Sequence, residues 1–315
     1  MRKRRPVILS LLSLAGLLAG LLSCAPLPQR TPGKLSVVAT IFPPYDFARE
    51  IAGDLADVSM LLPPAAEAHA YEPSPQDIAQ ISACDVFLYV GGDSDAWVEN
   101  VLKAVDPART RVVTLMDCVA PLEEETVEGM QAEAEASYGP EYDEHVWTAP
   151  QNAVLIAAKI ADALCAADPN HAASYRQRTA AYQAQLKKLD ADFRAVIADG
   201  KRDTLVFGDR FPFRYFAEAY GLRYYAAFPG CSTETEPSVR TVIFLIEKIR
   251  AEAIPAVFHA ELSNERMADT IAKDTGAQVL LLYACHNISK ADFAAGESYL
   301  SLMRKNLTAL ETALG

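Results

Sequence analysis

The sequence predicts an α/β protein: two β/α lobes with parallel sheets, joined by one long helix. Three observations carry this. Short apolar strands alternate with helical stretches from Leu35 onward. The alternation gives way to an unbroken helical pattern from Ala149 to Gly200. It then resumes and runs to the C-terminus. Strands alternating with helices imply a parallel sheet covered on both faces. Such sheets bind ligands at the carboxyl ends of their strands.

Taken in order, "LSVVATIFPPYDFAREIAG" is a buried strand running into Pro43-Pro44 and a helix. "VSMLLPP" is a second short strand. It opens the loop "LLPPAAEAHAYEPSPQ", in which Pro63, Pro64, Pro73 and Pro75 fix φ and remove donors, so the loop is stiff. "PSPQDIAQISACD" starts a helix with Ser74 as N-cap. "VFLYVGGDSDAWVENVLKAV" is a strand, a Gly-Gly turn and a helix, and "TRVVTLMD" is another strand. The acidic stretch "PLEEETVEGMQAEAEASYGPEYDEH" is expected to be a solvated loop.

Between the halves, Tyr175, Thr179, Tyr182, Leu186, Leu189, Phe193 and Ile197 recur at steps of three and four, one face of a long amphipathic helix. Its length suggests a rigid connector. Beyond it, "DTLVFGD", "LRYYAAF", "PAVFHAEL" and "AQVLLLYACH" read as strands. "RFPFRYFAEAYG", "SVRTVIFLIEKIRAEA", "NERMADTIAKDTG" and the closing "SYLSLMRKNLTALETALG" read as helices.

The N-terminus is not part of this fold. "MRKRRPVILSLLSLAGLLAGLLSC" has a basic region, a short apolar run and small residues before Cys24, the pattern of a secretory signal. The apolar run is shorter than the about 20 residues a spanning helix needs. The ending "LLSC" resembles a bacterial lipobox, which implies cleavage before Cys24 and lipidation of its thiol. "APLPQRTPGK" then serves as a Pro-rich tether. The expected organisation is a signal peptide over 1–23, a tether over 24–34, an N-terminal lobe over 35–148, connecting helices over 149–200 and a C-terminal lobe over 201–315. The net charge of −12 argues against nucleic acid and against a basic membrane-binding face. Five cysteines remain at wide spacings with no CxxC, which is no disulfide framework.

Three histidines stand at loops or strand ends. His69 is on the proline-stiffened loop, His145 precedes a helix in "YDEHVWTAPQNA", and His286 ends the strand "QVLLLYAC". Singly, each reads as structural or solvated. Jointly they make a zinc site, because neutral imidazole suits an ion that takes four ligands tetrahedrally. His171 reads as solvent-exposed between helices, and His259 as packed inside a strand.

At this point the sequence resembles the solute-binding lipoproteins of zinc and manganese ABC transporters, of the high-affinity zinc uptake type (cluster A-I). The resemblance covers nearly the whole mature chain. It rests on "IFPPYDFAREIAGD", "LLPPAAEAHAYEPSPQDI", "HVWTAPQNA", "FRYFAEAYGL", the "EPS" at Glu236 and "SYLSLMRKNLTALETAL". It implies one metal ion in a cleft between the lobes. It also implies that the first two ligands fall on His69 and His145. The third falls on Arg210, whose guanidinium cannot ligate a metal. The fourth, usually an aspartate, falls on His286. Glu261 matches a family glutamate near the cleft and stands as a possible fourth ligand, or as a partner for Arg210. The adjacent Asp209 and the loop residues Cys231 and Glu234 are weaker candidates for that fourth place, and Asp209, Arg210 and Cys231 are expected to stand beside the site. A structural salt bridge is the expected role of Arg210.

The function implied is extracytoplasmic capture of Zn²⁺ by the binding component of an ABC importer. That component passes the ion to a membrane permease, and is expected to be a monomer anchored through Cys24 to the outer face of the bacterial cytoplasmic membrane. Manganese or iron is the alternative cargo; both prefer carboxylate-richer sites, and His286 in place of an aspartate favours zinc. A zinc-dependent hydrolase would need an open position and a general base, and no HExxH is present. The chain is therefore read as no enzyme. A surface adhesin is a further alternative.

Overall fold

The computed structural model describes residues 31–68, 71–131, 141–232 and 236–315, so Cys24, His69 and Glu234 lie outside the described residues. The first sheet has β1 (Leu35–Ala39) inside, flanked by β2 (Ala56–Met60) and β3 (Val86–Tyr89), with β4 (Arg111–Thr114) beyond β3. All three pairings are parallel, with Val37 opposite both Val58 and Val86. Helix α1 (Phe42–Ala52) carries prolines in its first turn, where a missing N–H costs nothing. Helix α2 (Pro75–Ala83) starts on a capping box: Ser74 Oγ accepts from the Asp77 N–H, and the Asp77 carboxylate accepts from the Ser74 N–H. A short α3 (Val98–Leu102) follows β3.

Helices α4 (Pro150–Ala167) and α5 (Ala172–Asp199) join the halves. Along α5, Tyr175, Thr179, Tyr182, Leu186, Leu189 and Phe193 are buried. Except for the polar Thr179, they belong to one apolar core that also holds Val37 and Phe47 of the first half and Phe207 and Phe258 of the second. The connector is thus packed over its length.

The second sheet repeats the first. It consists of β5 (Thr204–Phe211), β6 (Arg223–Pro229), β7 (Ala256–Ala260) and β8 (Gln278–Leu282), in the order β6-β5-β7-β8 and parallel throughout. Helices α6 (Arg214–Tyr220), α7 (Val239–Glu252), α8 (Arg266–Thr275) and α9 (Lys290–Ala295) belong to this half. The last helix, α10 (Tyr299–Leu314), packs on α5, β8 and α1. This is the α/β fold with two parallel sheets that the alternation predicts.

Four local expectations are corrected. Arg210 and Phe211 belong to strand β5, not to the helix after it. A bulge between Phe207 and Arg210 lets the strand pair again with Phe228 and Pro229. Strand β8 stops at Leu282, short of His286, because Asn306 of α10 captures the Tyr283 backbone, accepting from its N–H at 2.8 Å and donating to its carbonyl at 2.9 Å. The helix after the Gly-Gly turn is only the short α3. The acidic stretch is not simply solvated: the Cys231 N–H donates to Glu124, the Tyr224 hydroxyl to Glu125, and Lys248 pairs with Glu128, all across to the second half. The five cysteines from Cys84 to Cys285 are free thiols.

Candidate metal centre

His145 sits where the chain enters the one-turn helix Val146–Thr148, before α4, and it is fully buried. Asp143 fixes it twice. Asp143 Oδ1 accepts the His145 backbone N–H at 2.8 Å and lies 3.2 Å from Nδ1. With Nδ1 as the donor, Nε2 is the nitrogen that can ligate. Burial alone would lower the His145 pKa. The carboxylates of Asp143, Glu144 and Glu124 outweigh it and hold the value above the ordinary one.

His286 lies in the turn after β8. Its ring meets that of His145 at right angles, with centroids 4.9 Å apart. The turn is held through its main chain. Glu261, just beyond β7, accepts the Ala284 N–H at 2.6 Å on one oxygen and the His286 N–H at 2.9 Å on the other. Between them Cys285 takes a left-handed φ of 60°, which an ordinary residue adopts only under such constraint. Burial pushes the Glu261 carboxyl up to about 7 against these backbone bonds, and burial likewise holds Glu144 at about 7. Trp147 ties the two histidine turns together, its indole N–H donating to the Ala284 carbonyl at 2.7 Å.

His145, His286 and Glu261 line one cavity of about 160 Å³ between the lobes, with Ala65 to Ala68, Asp209 and Arg210 also in its wall. The cavity has room for an ion and a few waters. Asn287 clamps the loop that leads toward His69. Its Nδ2 donates to the carbonyls of Pro63 and Ala66, and the Ala65 N–H returns a bond to Ile288.

Arg210 does not pair with Glu261. Its guanidinium reaches across the cleft to Glu67 at 3.2 Å and donates to the Ser232 carbonyl at 3.0 Å. It is a bridge between lobes, the structural salt bridge expected of it. Asp209 lines the cavity beside it, and its Oδ2 is buried with no hydrogen-bond partner among the described residues. Asp143, His145 and Cys231 offer ligand atoms within 4.8 Å of one another. Burial, then Asp143 and Glu124, hold the Cys231 thiol well above its usual pKa.

The structure thus brings His145, His286, Glu261, Asp209 and Arg210 to one cavity wall, and Cys231 close to His145 and Asp143. His259 is packed in β7, its Nδ1 3.1 Å from the Ala260 carbonyl. His171 is half-exposed beside Asp168. Sequence reading passed over Asp143, although a carboxylate two residues before a candidate ligand histidine is a usable signal. It also passed over Glu67 and Asn287, which only the docking of the two lobes reveals.

The family described as ZnuA, zinc-uptake complex component A periplasmic, matches residues 37–313. The chain belongs to that family. The zinc-binding lipoprotein AdcA of Streptococcus pneumoniae (strain ATCC BAA-255 / R6) is 32% identical over 303 residues, which are 95% of this chain. The chain spans 60% of that protein's length. The high-affinity zinc uptake system protein ZnuA of Bacillus subtilis is 30% identical over 284 residues, 89% of this chain and 88% of that one. Among solved structures, the Zn(II)-bound ZnuA-like domain of Streptococcus pneumoniae AdcA superposes with a TM-score of 0.75 at 30% identity. That match covers 90% of this chain and 99% of the domain.

Proposed function

We propose that this chain is the extracytoplasmic Zn²⁺-binding component of an ABC importer, capturing the ion between its lobes and delivering it to a membrane permease. The observation that carries this reading is the meeting of His145 and His286. They come from separate halves of the molecule and face each other at 4.9 Å in a cavity edged with carboxylates. Two imidazoles so placed favour zinc over harder ions. His69 is the third ligand in this reading. Its support is that Ala65 to Ala68, the residues leading to it, line the same cavity. Glu261 serves chiefly to hold the turn of His286, since both of its oxygens already accept backbone N–H groups.

The buried carboxylates lend negative potential to the cleft, which draws a cation and lowers the cost of desolvating it. Binding requires neutral imidazoles, so zinc displaces protons on entry. The shared core along α5 limits the lobes to small relative movements, so capture needs loop adjustment more than hinge closure. Cys24 is the lipid anchor, holding a monomer at the outer face of the bacterial cytoplasmic membrane.

Metal analysis of the purified protein tests this directly. The expected result is one zinc per chain, retained against dialysis and preferred over manganese in competition. Protein that retains no zinc, or that exchanges it freely for manganese, contradicts the reading. Membrane fractionation of Cys24→Ser tests the anchor; the variant should be released from the membrane by carbonate.

A further inference from the structure

Metal-ligating atoms crowd most closely outside the cavity. Among the described residues, the one mixed group whose donor atoms all lie within 4.8 Å of one another is Asp143, His145 and Cys231. Neither Asp143 nor Cys231 lines the cavity, whereas His145 belongs to both. We propose that these three side chains form a second metal position. It takes a thiophilic divalent cation of the zinc and cadmium class through an Asp143 oxygen, Nδ1 of His145 and the Cys231 thiolate.

The first support is spacing. Donors held about 2.0–2.3 Å from one tetrahedral ion stand roughly 3.3–3.8 Å apart. Asp143 Oδ1 already lies 3.2 Å from His145 Nδ1. The widest separation in the group is at most 4.8 Å, and it closes with a shift of about 1 Å. Three protein donors leave the fourth position to water.

The second support is construction. Cys231 stands in the turn after β6, and its N–H donates to Glu124 at 3.0 Å. Two residues before Glu124, the Leu122 carbonyl accepts the Asp143 N–H at 3.0 Å. From α6, the Tyr215 hydroxyl donates to the Asp143 carbonyl at 3.0 Å. Asp143 and Cys231 are thus positioned through their main chains. Gly230 permits the close approach: a Cβ there would lie 3.0 Å from Asp143 Oδ2 and 2.8 Å from the Phe211 carbonyl oxygen.

The third support is charge. The carboxylates of Asp143, Glu124 and Glu144 all act on both His145 and Cys231. Asp143 and Glu144 are buried. Among the described residues, no lysine or arginine pairs with any of the three. Arg214 is turned instead to Glu125 and Glu218. Buried carboxylates need a cation, and an imidazole and a thiolate beside them select zinc or cadmium over manganese or calcium. On binding, the thiol proton passes to solvent and the ring keeps its one proton on Nε2. An ion in the cavity needs that proton on Nδ1, so the two positions compete for one neutral ring.

Cadmium separates the two positions, because its softness directs it to sulfur. Added to the full protein, it should produce an ultraviolet thiolate-to-metal charge-transfer band. It should also slow alkylation of Cys231 by roughly tenfold or more, followed by peptide mass spectrometry. Cys118 and Cys165, also partly buried, serve as internal controls. Cys231→Ser should lack the band, and its cadmium affinity should fall by more than the roughly 10–100-fold typical of groups that only orient a ligand. A band that persists in this variant, or alkylation of Cys231 that cadmium does not slow, would overturn the proposal.

X-ray absorption at the zinc edge distinguishes this position from the cleft. In His286→Ala loaded with one equivalent of zinc, the expected shell includes one sulfur at about 2.3 Å. Nitrogen and oxygen alone would defeat the second position and leave the cleft reading standing. A sulfur shell in the unmutated protein, with zinc affinity unchanged in His286→Ala, would support the second position and defeat the cleft reading. A protein that takes up neither ion defeats both.

Discussion

His145 and His286 meet in one cavity, yet the chain holds them by opposite means. In the first half the grip is on the ring: Asp143 stands against Nδ1, and the residue is sealed from solvent. In the second half the grip is on the main chain: Glu261 takes the two N–H groups of the turn and Asn306 takes Tyr283. The sheets behind them have the same strand order and the same parallel pairing. A repeated scaffold therefore presents two equivalent side chains without repeating the local chemistry. A carboxylate beside a ring sets its tautomer, whereas a carboxylate beneath a turn sets only where that ring starts from.

The largest expected effect comes from removing one side of the pair. His145→Ala should reduce zinc affinity by far more than 100-fold, because it deletes a proposed ligand while the carboxylates packed around it stay buried. Chelator competition measures this, and a variant that still holds zinc within tenfold of the unmutated protein would dissolve the comparison at its root.

Next come the two grips. Asp143→Asn and Glu261→Gln should each cost roughly 10–100-fold in zinc affinity. They should differ in kind. The amide at 143 perturbs the tautomer of His145, and so alters the pH dependence of binding. The amide at 261 offers a single acceptor for two N–H groups, and so loosens the turn. Faster amide hydrogen exchange at Ala284 and His286 in Glu261→Gln, and not in Asp143→Asn, is the expected signature.

A smaller effect follows from pH. Between pH 8 and pH 6, Glu261 and Glu144 take up protons because burial holds both at about 7. The cleft loses negative charge, and zinc affinity should fall by about tenfold or more over this range. The metal-free protein should move the other way. A carboxyl whose folded pKa lies above its unfolded value binds protons more tightly when folded, so folding is favoured as pH falls through the folded value. Asp46 and Asp95, held at about 6 by burial, act with the same sign. The gain from pH 8 to 6 is on the order of 1 kcal/mol per group near 7. Melting curves with and without zinc at the two pH values should therefore converge as pH is lowered.

The smallest effect is at Arg210. Its ion pair with Glu67 is half open to solvent, and such pairs contribute about 0–1 kcal/mol. Arg210→Ala should leave zinc affinity unchanged or slightly raised, since a positive charge leaves the rim. A drop beyond tenfold would mean that the bridge to Glu67 sets the position of the His69 loop.

Much of this protein is fixed by local sequence. The strand–helix alternation, the prolines opening α1, the Ser74–Asp77 box and the apolar stripe of α5 are satisfied within a few residues or one helix face, and each is found where the pattern places it. His145 and His286 could be singled out because loops after parallel strands gather at one rim. What local pattern cannot specify is partnership over long separations. The bulge that keeps Arg210 on β5 depends on α8 packing against Gly208. The early end of β8 depends on Asn306, from the last helix of the chain, beyond α9. The reach of Arg210 to Glu67, the bond from Trp147 to Ala284 and the clamp of Asn287 on Pro63 and Ala66 exist only once both lobes are docked. The sequence alone determined the two-sheet architecture and the candidate ligand histidines, because periodicity and loop position are local properties. Tertiary structure decided which carboxylate faces the cavity and which is occupied by backbone N–H groups, because that choice depends on where distant donors come to rest.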